Sequence, residues 1–484
     1  MPTGRRACLT SYDQRLCMGS ETASDSPSIA TRTIQKVRVR ILPFVIVLYI
    51  IAYIDRTNIA FAALTMNQEL GISSEQFGLV SGIFFFGYFI FEIPSNLLLH
   101  RIGARVWIAR ILITWGALAA LTGVVQGVHQ LYAMRFLLGV AEAGYFPGII
   151  LYLTYWFPER EQARAAALVI MGAPVTIILG APISGLILDH VHWLGLHSWR
   201  WLLILEGLPA ILCGVLTFYL LPDRPGQARF LKADEKEWIQ AELAREAQQK
   251  LEHCRGSAVR ALTSARVWRL AGIYFGLMIG VYTLIFWSPQ LVRSLSLRYS
   301  NSEVGLLVAI PFLTAIIGMV FVSSSSDLRG ERRYHVAVPA ITAGIAFLLL
   351  GATNSPFSSL VLLSLAAIGV ESSLGPFWAL PNQFLTGYSA AAGIALINSL
   401  GNLGGFVGPY VVGAITSRTG DLHWGLALAG IALFLSAMLV LLLPSATRRP
   451  PQPVLQFRAE SAKVGHSHKS AHRRSPLRRP PASY

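Results

Sequence analysis

From about residue 41 to residue 444 the chain alternates apolar stretches of membrane-crossing length with short breaks rich in Gly, Pro or charge. A helix of about 20 apolar residues crosses the ~30 Å hydrocarbon layer, so each stretch predicts one transmembrane helix. Six fall near 41–65, 77–99, 107–128, 131–156, 165–188 and 201–221, and six more near 268–292, 303–325, 334–352, 358–385, 391–416 and 423–444. The polar segment 222–267 separates the two groups. Within it, LKADEKEWIQAELAREAQQKLE from Leu231 reads as a charged surface helix with acid–base pairs at helical spacing. The pattern predicts an all-α membrane protein of twelve helices in two six-helix bundles, 41–221 and 268–444. A tail precedes them (1–40), a linker joins them (222–267), and a basic disordered tail follows (445–484).

Composition agrees with the pattern. Of the 484 residues 54% are hydrophobic and 13% charged, and the mean hydropathy is +0.53. A soluble domain carries about 25% charged residues, so an ordinary soluble enzyme of this length is excluded. A net charge of +15 would suggest nucleic acid in a soluble protein. Here the tails hold most of it: 1–40 has seven Lys and Arg against Asp13, Glu21 and Asp25, and 445–484 has nine against Glu460. Basic flanks beside apolar helices follow the positive-inside rule and favour anionic lipid rather than nucleic acid. With both termini cytoplasmic, 34 of the 40 Lys and Arg lie on the inner side, and Arg200, Arg293, Arg298 and Arg418 on the outer. The expected location is the cell inner membrane, in many passes. Cys8, Cys17, Cys213 and Cys254 show neither CxxC nor zinc-like spacing. No cleavable signal peptide is expected in 1–40, and Met18 is an alternative start.

The halves repeat a motif. HRIGAR (His100 to Arg105) follows the second stretch and DLRGER (Asp327 to Arg332) the eighth, with Gly and the last Arg in register. Parallel six-helix repeats suit a carrier that rocks about a central site. Further signatures are YIDRTN from Tyr53, RFLLGVAEAGYFPG from Arg135, WRWLLILEGLPA from Trp199, GPFWALP from Gly375 and NSLGNLGGFVGP from Asn398. In these the chain resembles the major facilitator superfamily, and within it the anion:cation symporters, which include tartrate, phthalate and sugar-acid transporters. The loop after span two fits the superfamily pattern at Arg101, Gly103 and Arg105. It departs from it at Asn96, His100 and Ala104, which stand where Gly, Asp and Arg are usual.

An ionised side chain at the bilayer centre costs at least ~2.5 kcal/mol, so each one needs a reason. Span one carries Asp55 and Arg56; span four carries Arg135 and Glu142, two turns apart on one face. Neighbours in a helix diverge by about 100°, so Asp55 and Arg56 must look to other helices for partners. A carboxylate removed from water takes up protons more readily, whereas guanidinium stays charged and binds carboxylates bidentately. Neutralising an acid can thus free an arginine for an anionic substrate. The resemblance implies that Asp55 and Glu142 are proton sites, that Arg56 contacts a substrate carboxylate, and that Arg135 pairs with Asp55. A static ion-pair network that fixes helix packing is the competing reading.

The resemblance also implies substrate hydrogen bonds from Tyr53 and Tyr88 and from Asn402, with Asn398 one turn earlier. Trp378 could wall the cavity, or pack as a core tryptophan. Ala173 stands where some relatives use a glutamine, and Pro174 beside it suggests a kink. Glu92, Glu206 and Glu371 also fall in or near spans; Glu92 reads as a cap or gate, and none is assigned as the proton site. The four glycines of GNLGGFVGP allow close approach or bending in span eleven.

No phosphate loop, HExxH or metal spacing occurs, and His466, His468 and His472 sit in the basic tail. The expectation is a carrier, not an enzyme, without cofactor or metal. It would import a small organic anion, a hydroxylated mono- or dicarboxylate such as tartrate or a sugar acid, with protons, and as a monomer by family habit. The alternatives are a proton-antiport drug or metabolite exporter of the same superfamily and a membrane sensor that binds the anion without moving it.

Overall fold

The computed structural model describes residues 28–253, 262–296, 298–353, 355–381 and 387–444, and the regular structure among these is helical. The compact unit ends at Leu443. The basic tail, its three histidines, Met18, Cys8, Cys17 and Cys254 lie outside the described residues.

Helix α1 (Ile29–Glu69) is the first span, and it begins well before the apolar edge at 41. Ser28 caps it, accepting from the Thr31 N–H, and Thr33, Ile34 and Val37 bury one face of the added turns. Helix α2 (Ser74–Ile102) opens with a capping box between Ser73 and Gln76. Helix α3 (Ala104–Thr122) follows. Span four comes in two pieces, α4 (Val128–Glu142) and α5 (Tyr145–Thr154). Span five does too, as α6 (Glu159–Ile170) and α7 (Gly172–His190), joined at Met171 just before Pro174. Helix α8 (Ser198–Leu220) ends the first half.

The linker carries helix α9 (Ala233–His253). Its Glu235 accepts from Arg32 Nε at 2.9 Å and from Lys36 Nζ at 2.8 Å, and Asp234 accepts from Arg32 at 2.8 Å. Burial would raise the Glu235 carboxyl, but the hydrogen bonds from Lys36, the Lys232 amide and Arg32 outweigh it and hold it at about 2. The linker helix is thereby tied to the first turns of α1.

The second half runs α10 (Ala265–Leu295), α11 (Asn301–Arg329), α12 (Arg333–Leu349), α13 (Pro356–Ala379), α14 (Gly387–Asn402), α15 (Gly404–Thr419) and α16 (Leu422–Leu441). Eleven spans are each long and apolar enough to cross a membrane. The remaining one, span eleven, is split at Leu403 into α14 and α15, within the glycine-rich run.

The repeated motif has a structural basis. Gly103 (φ +101°) turns α2 into α3, and Gly330 (φ +63°) ends α11 before α12. Both angles lie where a Cβ is disfavoured. In the second half Asp327 pairs with Arg332 at 2.5 Å. In the first half His100 stands at the matching position, and Asp223, beyond α8, pairs with Arg105 instead at 3.1 Å.

Because the helices alternate in direction, the bundle has a proximal face, where α1 starts, and a distal face, where it ends at Glu69. On the distal side the two halves meet backbone to backbone. A Cβ at Gly185 would strike the Asn301 carbonyl, and one at Gly305 the Ala181 carbonyl, which seats α7 on α11. Gly78 lies against the Pro409 carbonyl and Gly413 against that of Ser74, which seats α2 on α15. Asp189 at the end of α7 accepts from the backbone amides of Asn301 and Ser302 at 3.1 and 2.7 Å. It accepts from their side chains at 2.7 and 2.6 Å as well. This places a carboxylate from one half on the helix N-terminus of the other. Also on that side, Glu69 accepts from Arg200 Nη2 at 2.9 Å and from the Trp199 indole, fixing α1 to α8.

Candidate functional site

The middle of α1 enters the bundle interior with Asp55 and Arg56 side by side, and they diverge as helical geometry requires. Asp55, Arg135 and Glu142 are each at most 2% exposed. The Arg56 side chain keeps 11%.

Arg56 donates from Nη2 to Glu142 Oε1 in a direct ion pair between α1 and the last residue of α4. The helix stops there because the chain breaks at Ala143 and Gly144, and this leaves Glu142 at the end of a helix. Three rings surround the Arg56 guanidinium: its carbon lies 5.0 Å from the Tyr53 ring centre, 5.2 Å from Phe84 and 5.7 Å from Tyr88. Such contacts favour a cation held out of water. Tyr282 of α10, in the other half, stands within reach of the same guanidinium and lies 4.2 Å, centre to centre, from Phe85. Arg56 is therefore where the two halves face each other.

Asp55 turns away from that pair. Asn58 Nδ2 donates to its Oδ1 at 2.9 Å, and the Trp115 indole of α3 donates to its Oδ2. Among the described residues no cation lies within salt-bridge distance of Asp55. The expected Asp55–Arg135 pair is thus corrected: Asp55 accepts from an amide and an indole, and the Arg135 Nε is directed to the backbone of α2. Arg135 instead donates from Nε to the Val80 carbonyl at 3.3 Å, with its guanidinium 5.2 Å from the Phe84 ring. It lies near enough to Asp55 and Glu142 to attract both without bonding either. Its Nη2 and Glu142 Oε2 are buried without a hydrogen-bond partner.

The second half supplies different chemistry. Trp378 lies in an aromatic cluster, 4.9 Å from the Tyr274 ring and 5.4 Å from Phe377. Asn402 ends α14 beside the Leu403 break, half-buried. Asn398 is engaged elsewhere: its Nδ2 donates to Glu92 Oε1 at 3.2 Å, and Ser399 donates to Oε2 at 2.8 Å. Glu92 thereby joins α2 to α14 across the halves. Ala173 packs against the apolar core without a polar contact.

The structure thus brings together Asp55, Arg56, Arg135, Glu142, Tyr53 and Tyr88. It sets Trp378, Asn402 and Asn398 on the opposite half, with Asn398 on Glu92. Trp115, Asn58, Tyr282 and Phe84 also belong to the site, and the sequence pattern does not single them out. Asn58 is legible in principle, one turn after Asp55 on the same face, but Trp115 comes from another helix and carries no local signal.

A family model described as Major Facilitator Superfamily matches residues 45–409, with a second match over 270–482. The chain belongs to the Major Facilitator Superfamily. It is 45% identical over 417 residues to an Agrobacterium vitis protein provisionally named a tartrate transporter, covering 86% of this chain and 95% of that protein. It is 38% identical over 406 residues to the quinolone resistance transporter of Acinetobacter baumannii, covering 84% and 93%. Among solved structures it is similar to an inward-facing, occupied bacterial homologue of the human lysosomal transporter Spinster. There the TM-score is 0.67 at 18% identity, over 84% of this chain and 96% of that one. This major facilitator protein is a multi-pass membrane transporter and not an enzyme, with the superfamily's two six-helix bundles.

Proposed function

We propose that this protein imports a small hydroxylated mono- or dicarboxylate, such as tartrate or a sugar acid, together with protons, by alternating access in the inner membrane. The observation that carries the reading is the buried Arg56–Glu142 ion pair, ringed by Tyr53, Phe84 and Tyr88 where the halves face each other. A guanidinium in that setting is a ready carboxylate receptor, held in the empty carrier by an internal carboxylate. A proton on Glu142 cancels the charge that holds Arg56 and releases it to an incoming anion. A proton on Asp55 keeps the arriving charge in balance, with Arg135 as the fixed cation beside it. Asn402 supplies an amide for substrate hydroxyls, and Trp378 walls the opposite side.

The excess of Lys and Arg on the proximal side supports a cytoplasmic proximal face. The backbone-to-backbone distal seam then corresponds to an inward-facing state. The name of the A. baumannii relative favours a second reading, proton-driven export of a drug; two buried arginines at the site count against a cationic cargo.

Uptake of radiolabelled tartrate and sugar acids into proteoliposomes with an imposed pH gradient tests both. Accumulation driven by inward protons and abolished by a protonophore is expected. Expulsion of label would support the exporter, and binding without accumulation a sensor.

A further inference from the structure

Glu206 is one of the buried acids, with Glu92 and Glu371, that have no part in the symport scheme. Glu206 sits on α8, 6% exposed. Ser184 of α7 donates to its Oε1 at 2.8 Å, while its Oε2 is buried without a hydrogen-bond partner. On α1, Asn58 stands between Glu206 and Asp55. It donates to Asp55 at 2.9 Å and lies within reach of Glu206, whose charge the Asp55 carboxyl also senses. Helix α8 is held here by small residues, since Gly207 fits against Gly116 and Ala119 of α3. Of the groups facing Glu206 from α1, α3 and α7, Asp55 is the charged one among the described residues. No cation among those residues is within salt-bridge distance of either carboxyl.

Two carboxylates in one low-dielectric interior repel each other; Asn58 stands between them, and Arg135, bonded to neither, is the cation near Asp55, so a single negative charge on the pair is the favoured state. A buried carboxylate needs a cation or several donors; Glu206 has Ser184 on Oε1 and Asn58 within reach, and among the described residues no cation at salt-bridge distance. The bare Oε2 is the atom that can carry a proton at no cost in hydrogen bonds. Asn58 is one turn from Asp55 toward the distal face, so Glu206 lies on the distal side of Asp55, away from the Arg56–Glu142 pair.

We propose that Glu206 is a second proton-coupling carboxyl, acting with Asp55 through Asn58 as a pair that holds one negative charge at most. The inference rests on the proton-symport reading. In the cycle the pair takes up a proton when the distal side is open and gives one up when the proximal side is open. An O–H bond forms at a carboxyl oxygen in the first step and breaks in the second, with water as donor and acceptor.

The test is the proton-to-substrate ratio, read from the reversal potential of labelled tartrate flux in proteoliposomes. Glu206→Gln keeps the size and the Ser184 contact but cannot titrate, so a purely structural glutamic acid would be replaced without effect. The expected result is a ratio lowered by one proton, with tartrate counterflow exchange retained. Ser184→Ala leaves the carboxyl in place and should keep the wild-type ratio while shifting the pH profile of uptake. An unchanged ratio in Glu206→Gln overturns the proposal alone. A wild type that moves tartrate without protons overturns the symport reading and the proposal with it. If Glu206→Gln does not fold, the infrared carbonyl-stretch band of a protonated buried carboxyl decides, compared between wild type and Glu206→Asp; a band that does not shift refutes the assignment.

Discussion

Under the proposed function two demands meet at Arg56: a cation must survive in the bilayer interior and yet be available to a ligand. The rings of Tyr53, Phe84 and Tyr88 meet the first demand, and the single pairing to Glu142 meets the second. Losing one partner of a buried charge pair costs on the order of 3 kcal/mol, about a hundredfold in affinity. Arg56→Ala should therefore weaken substrate protection against thermal unfolding at least about a hundredfold in ligand concentration, and unchanged protection would remove Arg56 from the site. Glu142→Gln mimics the protonated state, so it should abolish pH-driven accumulation while counterflow exchange persists; accumulation that still follows the pH gradient would rule out its proton role. The sequence exposes these four charges because charge is rare in apolar stretches. It does not expose their partners. Asp55 is held by Trp115, sixty residues onward in an unremarkable apolar run, and that contact depends on how α1 and α3 cross. Spacing within one helix carries no information about such a meeting, which is why the expected Asp55–Arg135 pairing gives way to an indole.

Among whole elements, most of the fold is legible because about 20 apolar residues admit few alternatives in lipid. The breaks are harder to place. Glycines mark the hinge of span eleven at Leu403, Pro174 hints at the one at Met171, and Gly144 with Pro147 stands at the division of span four after Glu142, but in each the breaking residues lie inside an otherwise continuous apolar stretch. The early start of α1 is hidden because its first turns are amphipathic and are stabilised by α9. That attachment makes a pH prediction. The folded Glu235 carboxyl lies at about 2, below its ordinary value near 4.5, so its contribution is complete above about 4.5 and is lost as pH falls toward 2. Hydrogen exchange in α9 should rise over that window, and Glu235→Gln should show the raised exchange already at neutral pH. Equal protection in wild type and variant would mean that other contacts hold the linker.

For the molecule as a whole, the distal seam decides which states the carrier visits. Glycines at 78, 185, 305 and 413 let main chains touch, so a branched side chain there works as a wedge. Gly305→Val should force α7 from α11 and shift the population toward distal opening, raising the labelling of a cysteine introduced in that seam several-fold. Labelling no faster than in the unwedged protein would show that the seam yields elsewhere. A junction of main chains has no flexible arms to let go in succession, and the Asp189 clasp on the start of α11 releases only when the halves turn as bodies. Opening is then all or nothing. In the proposed cycle an empty protein closed by this seam would keep its distal side shut until the halves turn together, so idle copies would open no path for ions.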